Sequence, residues 1–327
     1  MNNGVREDGN IIHKPVLLEE VCQAFGSFAP LNYQAQKIKP IIVDATIGAG
    51  GHSVELIKRG AYIIGVDADR EMVKIAGENL KKTLRAMRLS EPEACPTGNC
   101  NDLFTIVNEN FINLERILKD LKIHKVDGIL FDLGISSYHY TFDRGFSFQD
   151  PDSPLDMRLS KDQQVTGADL LNALPKKQLA DMFLKALPYV RSSRLSNAVL
   201  EYREVKKIEK TGDFLEIIAK VTPLAFRERR RINNSTLPFM ALRMAVNSEL
   251  ENLKLALDRS WHLLKQNGVL AVITFHSGED SVVKEIFNKF ARLGEGLVGG
   301  KFVRPDELEI RDNPRARSAK LRFIQKV

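Results

Sequence analysis

Residues 41–53, IIVDATIGAGGHS, place the strongest constraint on the fold: an apolar run of strand length ends in an acid and passes at once into three glycines within four positions. A run that is apolar at consecutive positions reads as a strand buried on both faces, the habit of parallel sheets covered by helices. The following segments keep that rhythm. A short helical stretch, SVELIKRG, leads to a second such run at 62–66, and REMVKIAGENLKKTLRAMRL follows with apolar residues at helix spacing (Met72, Ile75, Ala76, Leu80). Further strand-like runs lie at 128–131 and 269–275, and a last strand is expected at 319–325. Strands alternating with helices in this way form βαβ units, so the expected class is α/β with a parallel sheet.

The rhythm breaks between about Gly145 and Asn247, where only helical patterns occur, such as Leu179, Met182, Phe183, Ala186 and Leu187. Pro175 stands where a first helical turn tolerates it, and Thr166 with Asp169 resembles a capping pair. Past this block Ser248-x-x-Glu251 is expected to cap a helix striped by Leu250, Leu253, Leu257, Trp261 and Leu264. A helix carrying Val282, Val283, Ile286, Phe287 and Phe290 follows the strand at 269–275. The expected organisation is a sheet domain of residues 1–144 and 248–327, interrupted by an all-helical domain at 145–247. Residues 90–102, rich in Pro, Gly, Cys and Asn, read as a surface loop.

With 327 residues, 43% of them apolar and 28% charged, the chain can bury a full core. No apolar run approaches the ~20 residues that cross a bilayer, so no membrane is expected. The start, MNNGVREDGN, lacks a secretory signal, which makes the cytoplasm the expected compartment. Cys22, Cys95 and Cys100 are too few and too scattered for a disulfide framework or a zinc site, and no metal is expected. The net charge of +6 is unevenly spread: six basic residues lie between Arg311 and Val327 against the single acid Asp312, and Arg227, Arg229, Arg230 and Arg231 form a second cluster. Such segments suit a polyanionic partner, although a solvated charged surface accounts for either segment alone.

In open α/β sheets ligands bind beyond the carboxyl ends of the strands. Those ends here carry Asp44 with the turn Gly48, Gly50 and Gly51, then Asp67, Asp132 and His276. The turn lacks the Lys-Ser/Thr pair of a phosphate-gripping loop and the spacing of a dinucleotide fingerprint. Asp67, about twenty residues past the glycines, is placed to accept hydrogen bonds from ribose hydroxyls. For any single acid, turn or helix capping is explanation enough. Together, three acids and a glycine turn fit a phosphate-free nucleoside with a positive charge, such as S-adenosyl-L-methionine.

The ordered set HKPVLLEEV (13–21), DATIGAGGHS (44–53), DGILFDLGISS (127–137), RGFSF and PLDMR (144–158), ALRMAVNSELE (241–251), TFHSGED (274–280) and NPRARSAKLR (313–322) resembles the small-subunit (16S) ribosomal RNA cytosine-N4 methyltransferases. The resemblance covers nearly the whole chain. It implies a class I (Rossmann-like) methyltransferase sheet with an inserted helical domain, S-adenosylmethionine as donor, and a cytosine of the decoding region as target. Carried over by motif, the cofactor contacts are Gly50, Gly51, His52, Asp67, Phe111 and Asp132, with His139 where the family usually has Gln. Other departures are Gly278 for a usual Leu, YVRS (189–192) for Y-G-E-E, and Leu237-Pro238 for an R-T pair.

Cytosine's exocyclic amine is a weak nucleophile, so its methylation needs acceptors for the amine protons and close in-line placement of the methyl group. Asp132 is the first candidate acceptor and Ser136, or a neighbouring backbone carbonyl, the second. The sequence there, Asp132-Leu133-Gly134-Ile135, differs from the Asp/Asn-Pro-Pro-Tyr/Phe usual in amino-methyltransferases. His276 follows a strand directly and is either a substrate contact or a structural histidine. An extruded base also needs flat side chains. Of Tyr138, Tyr140, Phe142, Phe146 and Phe148, the last two are expected to pack internally, leaving Tyr138 and Phe142 as base-facing candidates. Arg315, Arg317, Lys320 and Arg322 are expected to meet RNA phosphates, whereas Arg243, on an apolar helix, is expected to pair internally. The expected partner is small-subunit RNA or the assembled subunit, with a homodimer left open. The rival readings are a non-catalytic RNA-binding or assembly protein on a degenerate methyltransferase scaffold and, ranked last, a nicotinamide oxidoreductase.

Overall fold

The computed structural model describes residues 15–28, 39–87, 103–222 and 234–327. The expected loop at 90–102, Cys95, Cys100 and the cluster Arg227–Arg231 lie outside the described residues. The chain divides into two compact units, residues 1–136 with 251–327, and residues 137–250.

The first unit is built on a seven-stranded sheet. Its strands are β1 (Ile41–Asp44), β2 (Tyr62–Asp67), β3 (Phe104–Asn108), β4 (Val126–Asp132), β5 (Leu264–Thr274), β6 (Gly296–Val298) and β7 (Lys320–Lys326), in the spatial order β3-β2-β1-β4-β5-β7-β6. The first five are parallel, while β7 runs antiparallel to β5 and β6 antiparallel to β7. The chain moves outward from β1 through β2 to β3, then returns to place β4 on the other side of β1. The topological switch, where a ligand crevice opens in such sheets, therefore lies between β1 and β4. This is the class I methyltransferase sheet.

Helices α1 (Leu18–Phe28), α2 (Gly51–Lys58), α3 (Arg70–Met87) and α4 (Leu114–Asp120) precede the second unit. Alternate strand residues point to opposite faces and need cover on both. On one face Ile42, Ile63, Leu130 and Ala271 pack with Phe25 of α1, Leu56 of α2 and Leu80 of α3. On the other Val43, Ile64, Phe131 and Val272 pack with Ile117 of α4 and with two later helices described below. Gly65 is required by this arrangement: a Cβ there would collide with Ile47 Cδ1, in the turn that follows β1.

The second unit holds α5 (Gly167–Ala173), α6 (Lys176–Leu184), α7 (Tyr189–Val205), α8 (Thr211–Val221) and α9 (Thr236–Val246). Thr166 and Asp169 form the expected capping box, and Pro175 stands as the N-cap of α6, one residue ahead of its first turn. Phe183, Phe214 and Phe239 share its interior, with Phe148 against Phe239 at 5.9 Å, so Phe148 packs as expected. Arg243 pairs with Glu249 at 2.8 Å, as its place on an apolar helix implied.

The chain then enters α10 (Glu249–Leu263) and, after β5, α11 (Ser277–Arg292), which cover the second face of the sheet through Leu257, Trp261, Val283 and Phe287. Ser248 does not take the extended backbone of a capping serine; its φ is +49°, in the left-handed region. A short α12 (Glu307–Asp312) and a 3-10 turn at Pro314–Ser318 lead into β7. No helix among the described residues is long and apolar enough to cross a membrane.

Candidate active site

The carboxyl ends of β1, β2 and β4 bring Asp44, Asp67 and Asp132 to one edge of the sheet, as the strand pattern implied. The glycine turn is fixed from two sides. Gly50 is the left-handed N-cap of α2 (φ 85°), a backbone conformation that residues with side chains rarely adopt. Gly48 donates its N–H to Asp67 Oδ2 at 3.0 Å, and Gly51 opens α2.

Asp67 is the most firmly positioned of the acids. Its Oδ1 accepts the N–H of Asp69 at 2.9 Å, so each carboxylate oxygen holds one backbone donor. Asp69, buried, caps the start of α3 by accepting the Glu71 N–H at 2.9 Å. The two neighbouring acids thus divide the work: Asp69 starts a helix and Asp67 faces the turn.

Asp44 and Asp132 occupy drier positions. Asp44 is 2% exposed, and its Oδ2 accepts the Ser53 hydroxyl at 2.7 Å. Burial pushes its pKa up to about 6, against the downward pull of the Ser53 hydroxyl and the Thr46 backbone N–H. Asp132 is held well above the usual carboxylate range, first by burial and then by the charges of Asp44 and Glu279. Its backbone N–H donates to Thr46 Oγ1 at 2.6 Å, tying the end of β4 to that of β1. On each acid Oδ1 is buried without a hydrogen-bond partner.

His52, in the first turn of α2, faces this pair. Its Nε2 lies 2.9 Å from the Val16 carbonyl oxygen, which can only accept, so Nε2 carries a hydrogen. Its Nδ1 is 3.5 Å from Asp132 Oδ2. Phe111 opens the 3-10 turn after β3 and stands edge-on to Phe131 at 5.5 Å. Ser136 is buried at the last position of the sheet unit. His276 is the N-cap of α11: Nδ1 accepts the Glu279 N–H at 3.4 Å, and Glu279 in turn accepts the N–H groups of Phe275 and His276. Of the two roles weighed for His276, the structure shows the capping one.

In the second unit His139 is buried, edge-on to Phe142 at 5.6 Å and to Phe146 at 5.4 Å. Phe146 is buried as expected, and Arg144 lies over the Phe142 ring at 4.8 Å. Tyr138 is half-buried, and its carbonyl accepts the Thr141 hydroxyl.

The four C-terminal cations separate into two kinds. Arg315 and Arg317 are exposed in the turn at 314–318. Arg322 and Lys320 instead bind the buried carboxylate of Asp280, at 2.7 and 3.1 Å, and burial's upward push on that acid is overcome so that its pKa is lowered. Both cations also lie over the Phe302 ring.

Sequence reasoning missed Thr46, Ser53 and Glu279 as parts of this site. Glu279 had a readable signal, an acid at the third position of a helix whose cap is His276. Ser53 and Thr46 gave none, because their roles depend on which strands become neighbours.

Two buried acceptors without donors, a strand-end carboxylate held by backbone N–H groups and a glycine turn lacking the lysine of a phosphate-gripping loop fit a positively charged nucleoside such as S-adenosylmethionine. The profile of the MraW methylase family matches residues 10–327. Among curated relatives called ribosomal RNA small subunit methyltransferase H, that of Dictyoglomus thermophilum is 40% identical over 320 residues, covering 97% of each chain. That of Dictyoglomus turgidum is 38% identical, covering 97% of this chain and 98% of the relative. That of Coprothermobacter proteolyticus is 39% identical, covering 97% and 96%. With its switch-point acids, its glycine turn and a match running nearly end to end, the chain belongs to the MraW methylase family.

Proposed function

We propose that the protein transfers a methyl group from S-adenosylmethionine to the exocyclic N4 of a cytosine in the decoding region of small-subunit ribosomal RNA. The observation that carries the donor assignment is Asp67, pinned at the end of β2 by the Gly48 and Asp69 N–H groups, where an acid accepts ribose hydroxyls in nucleotide-binding sheets. The target assignment rests on the relatives' shared name and on the motif resemblance.

The donor, when bound, supplies an electrophilic methyl group on a positive sulfur. The remaining work belongs to the chain. Asp67 fixes the ribose, while the turn at Gly48, Gly50 and Gly51 and the side chains of His52 and Phe111 enclose the nucleoside. Asp132 accepts a proton of the target amine, its hold on that proton strengthened by burial and by the charges of Asp44 and Glu279. Ser136 is the second acceptor, and His276 acts by positioning Glu279. Arg315 and Arg317 hold RNA phosphates, whereas Lys320 and Arg322 contribute charge from a fixed frame around Asp280. The helical residues 145–247 serve substrate recognition, with Tyr138 and Phe142 as the flat side chains for the extruded base.

Purified protein given S-adenosylmethionine with a labelled methyl group and either naked small-subunit RNA or immature subunits should yield labelled N4-methylcytidine. A folded protein that binds the donor and labels neither substrate would favour the non-catalytic scaffold instead.

A further inference from the structure

We propose that Asp44 and Asp132 form a charge-selective pair that favours the positively charged sulfonium donor over the neutral thioether product, by releasing a proton when the donor binds. This rests on the donor assignment above and goes beyond it by giving a role to Asp44, which no motif contact uses.

Asp44 and Asp132 close the neighbouring parallel strands β1 and β4, whose ends are tied by the Ala45 N–H on the Leu130 carbonyl at 2.8 Å and the Asp132 N–H on Thr46 Oγ1 at 2.6 Å. These bonds leave the strand ends little freedom to spread. Each acid keeps a buried Oδ1 without a partner, and Asp44 is 2% exposed. A buried acceptor left unsatisfied is costly unless something else meets it.

Among the described residues, the groups that act on the pair include no cation of fixed charge. From β2, Asp67 raises the pKa of Asp44; from α11, Glu279 raises that of Asp132. From α2, Ser53 gives a neutral hydroxyl to Asp44, and His52 is the base in contact with Asp132. From the end of β5, His276 is engaged with Glu279. Two like charges in a desolvated site resist joint ionisation, so the pair retains a proton well above the usual carboxylate range, and the titration belongs to the pair rather than to either member.

A sulfonium carries a permanent positive charge and favours the ionised pair, so donor binding sends the proton to solvent. The thioether left after methyl transfer has lost that charge while keeping the same adenosine and amino-acid parts. The pair then takes a proton back, and the product loses the attraction that held the donor. Donor affinity therefore rises with pH through the titration of the pair, while product affinity stays level.

The test is isothermal titration calorimetry of the full chain with S-adenosylmethionine and, separately, S-adenosylhomocysteine, each in two buffers of different ionisation enthalpy. Near pH 6 the donor should release up to about one proton more than the product as the pair ionises. The ratio of donor to product affinity should climb by at most about tenfold per pH unit and level off once the pair is ionised. Asp44→Asn keeps an acceptor for Ser53 and should shrink the difference in proton release. Equal proton release by both ligands, with a ratio indifferent to pH, would overturn the pair's role while leaving the donor assignment standing. Failure of both ligands to bind would overturn the donor assignment and this role with it.

Discussion

His52 reaches Asp132 across the switch between β1 and β4: its Nδ1 stands 3.5 Å from Asp132 Oδ2, while its Nε2 is held by the Val16 carbonyl. The first residue after the glycine turn thus contacts the acid at the end of β4, so the proposed donor-binding turn and the proposed proton acceptor are directly linked. Asp132→Asn keeps the shape and the contact with His52 but removes the ability to take a proton. Turnover should fall by about 10²- to 10⁴-fold, with the circular dichroism spectrum and melting temperature retained. Single-turnover kinetics with saturating donor and RNA check this.

Asp67 is held at the end of β2 by two backbone donors, and the proposed function assigns it the ribose of the donor. Asp67→Ala should weaken S-adenosylmethionine binding by roughly 10- to 100-fold, the worth of one or two hydrogen bonds to a charged acceptor. Calorimetry reads this directly. A clear affinity in the parent protein, lost in the variant, speaks for an intact pocket rather than a degenerate one.

The buried Asp44 costs the fold stability at neutral pH. Below about pH 4 both the folded and the unfolded chain hold its proton, and the group is neutral to stability. As pH rises toward 6 the unfolded chain ionises first, because the folded pKa is raised to about 6. The resulting loss, on the order of 3 kcal/mol, is complete above that range. Asp44→Asn should therefore raise the unfolding midpoint at neutral pH and leave it unchanged in acid, measured by denaturant titration across pH.

Gly65 and Ile47 are complementary in volume, since a methyl group on the one would meet Cδ1 of the other. Gly65→Ala should destabilise by about 1–3 kcal/mol. Ile47→Val removes the colliding carbon, so the double variant should recover part of that loss. A double-mutant cycle by chemical denaturation measures the coupling.

The two kinds of C-terminal cation should behave differently. Arg315→Ala and Arg317→Ala should each weaken RNA binding, lowering the slope of log affinity against log salt by about 1, with stability changed by less than about 0.5 kcal/mol. Arg322→Ala breaks the pair with Asp280 and should cost about 2 kcal/mol of stability. Filter binding at several salt concentrations and thermal melts separate the effects.

The sheet was legible where burial left a plain mark. β1, β2, β4 and the inner part of β5 are covered on both faces and appear as unbroken apolar runs, and the acids at three of their ends follow as part of the pattern. β3 escaped because Phe104–Asn108 is only partly covered and interleaves apolar with polar residues. β6 has three residues, too few for any period to show. In the site, the ligand-facing acids could be read from position along the chain. The partners of Asp44 could not, because Ser53 and Asp132 become its neighbours only when α2 and β4 take their places beside β1. Lys320 and Arg322 were grouped with Arg315 and Arg317 by charge, since nothing in the sequence marks Asp280 as the acid that engages them.

The central claim is most directly tested by nucleoside-resolved mass spectrometry of small-subunit ribosomal RNA from cells with and without the gene. The account predicts that one cytosine of the decoding region loses its N4 methyl group in the deleted cells and regains it when the parent protein, but not Asp67→Ala, is restored. An unchanged methylation pattern at every cytosine after deletion would contradict it.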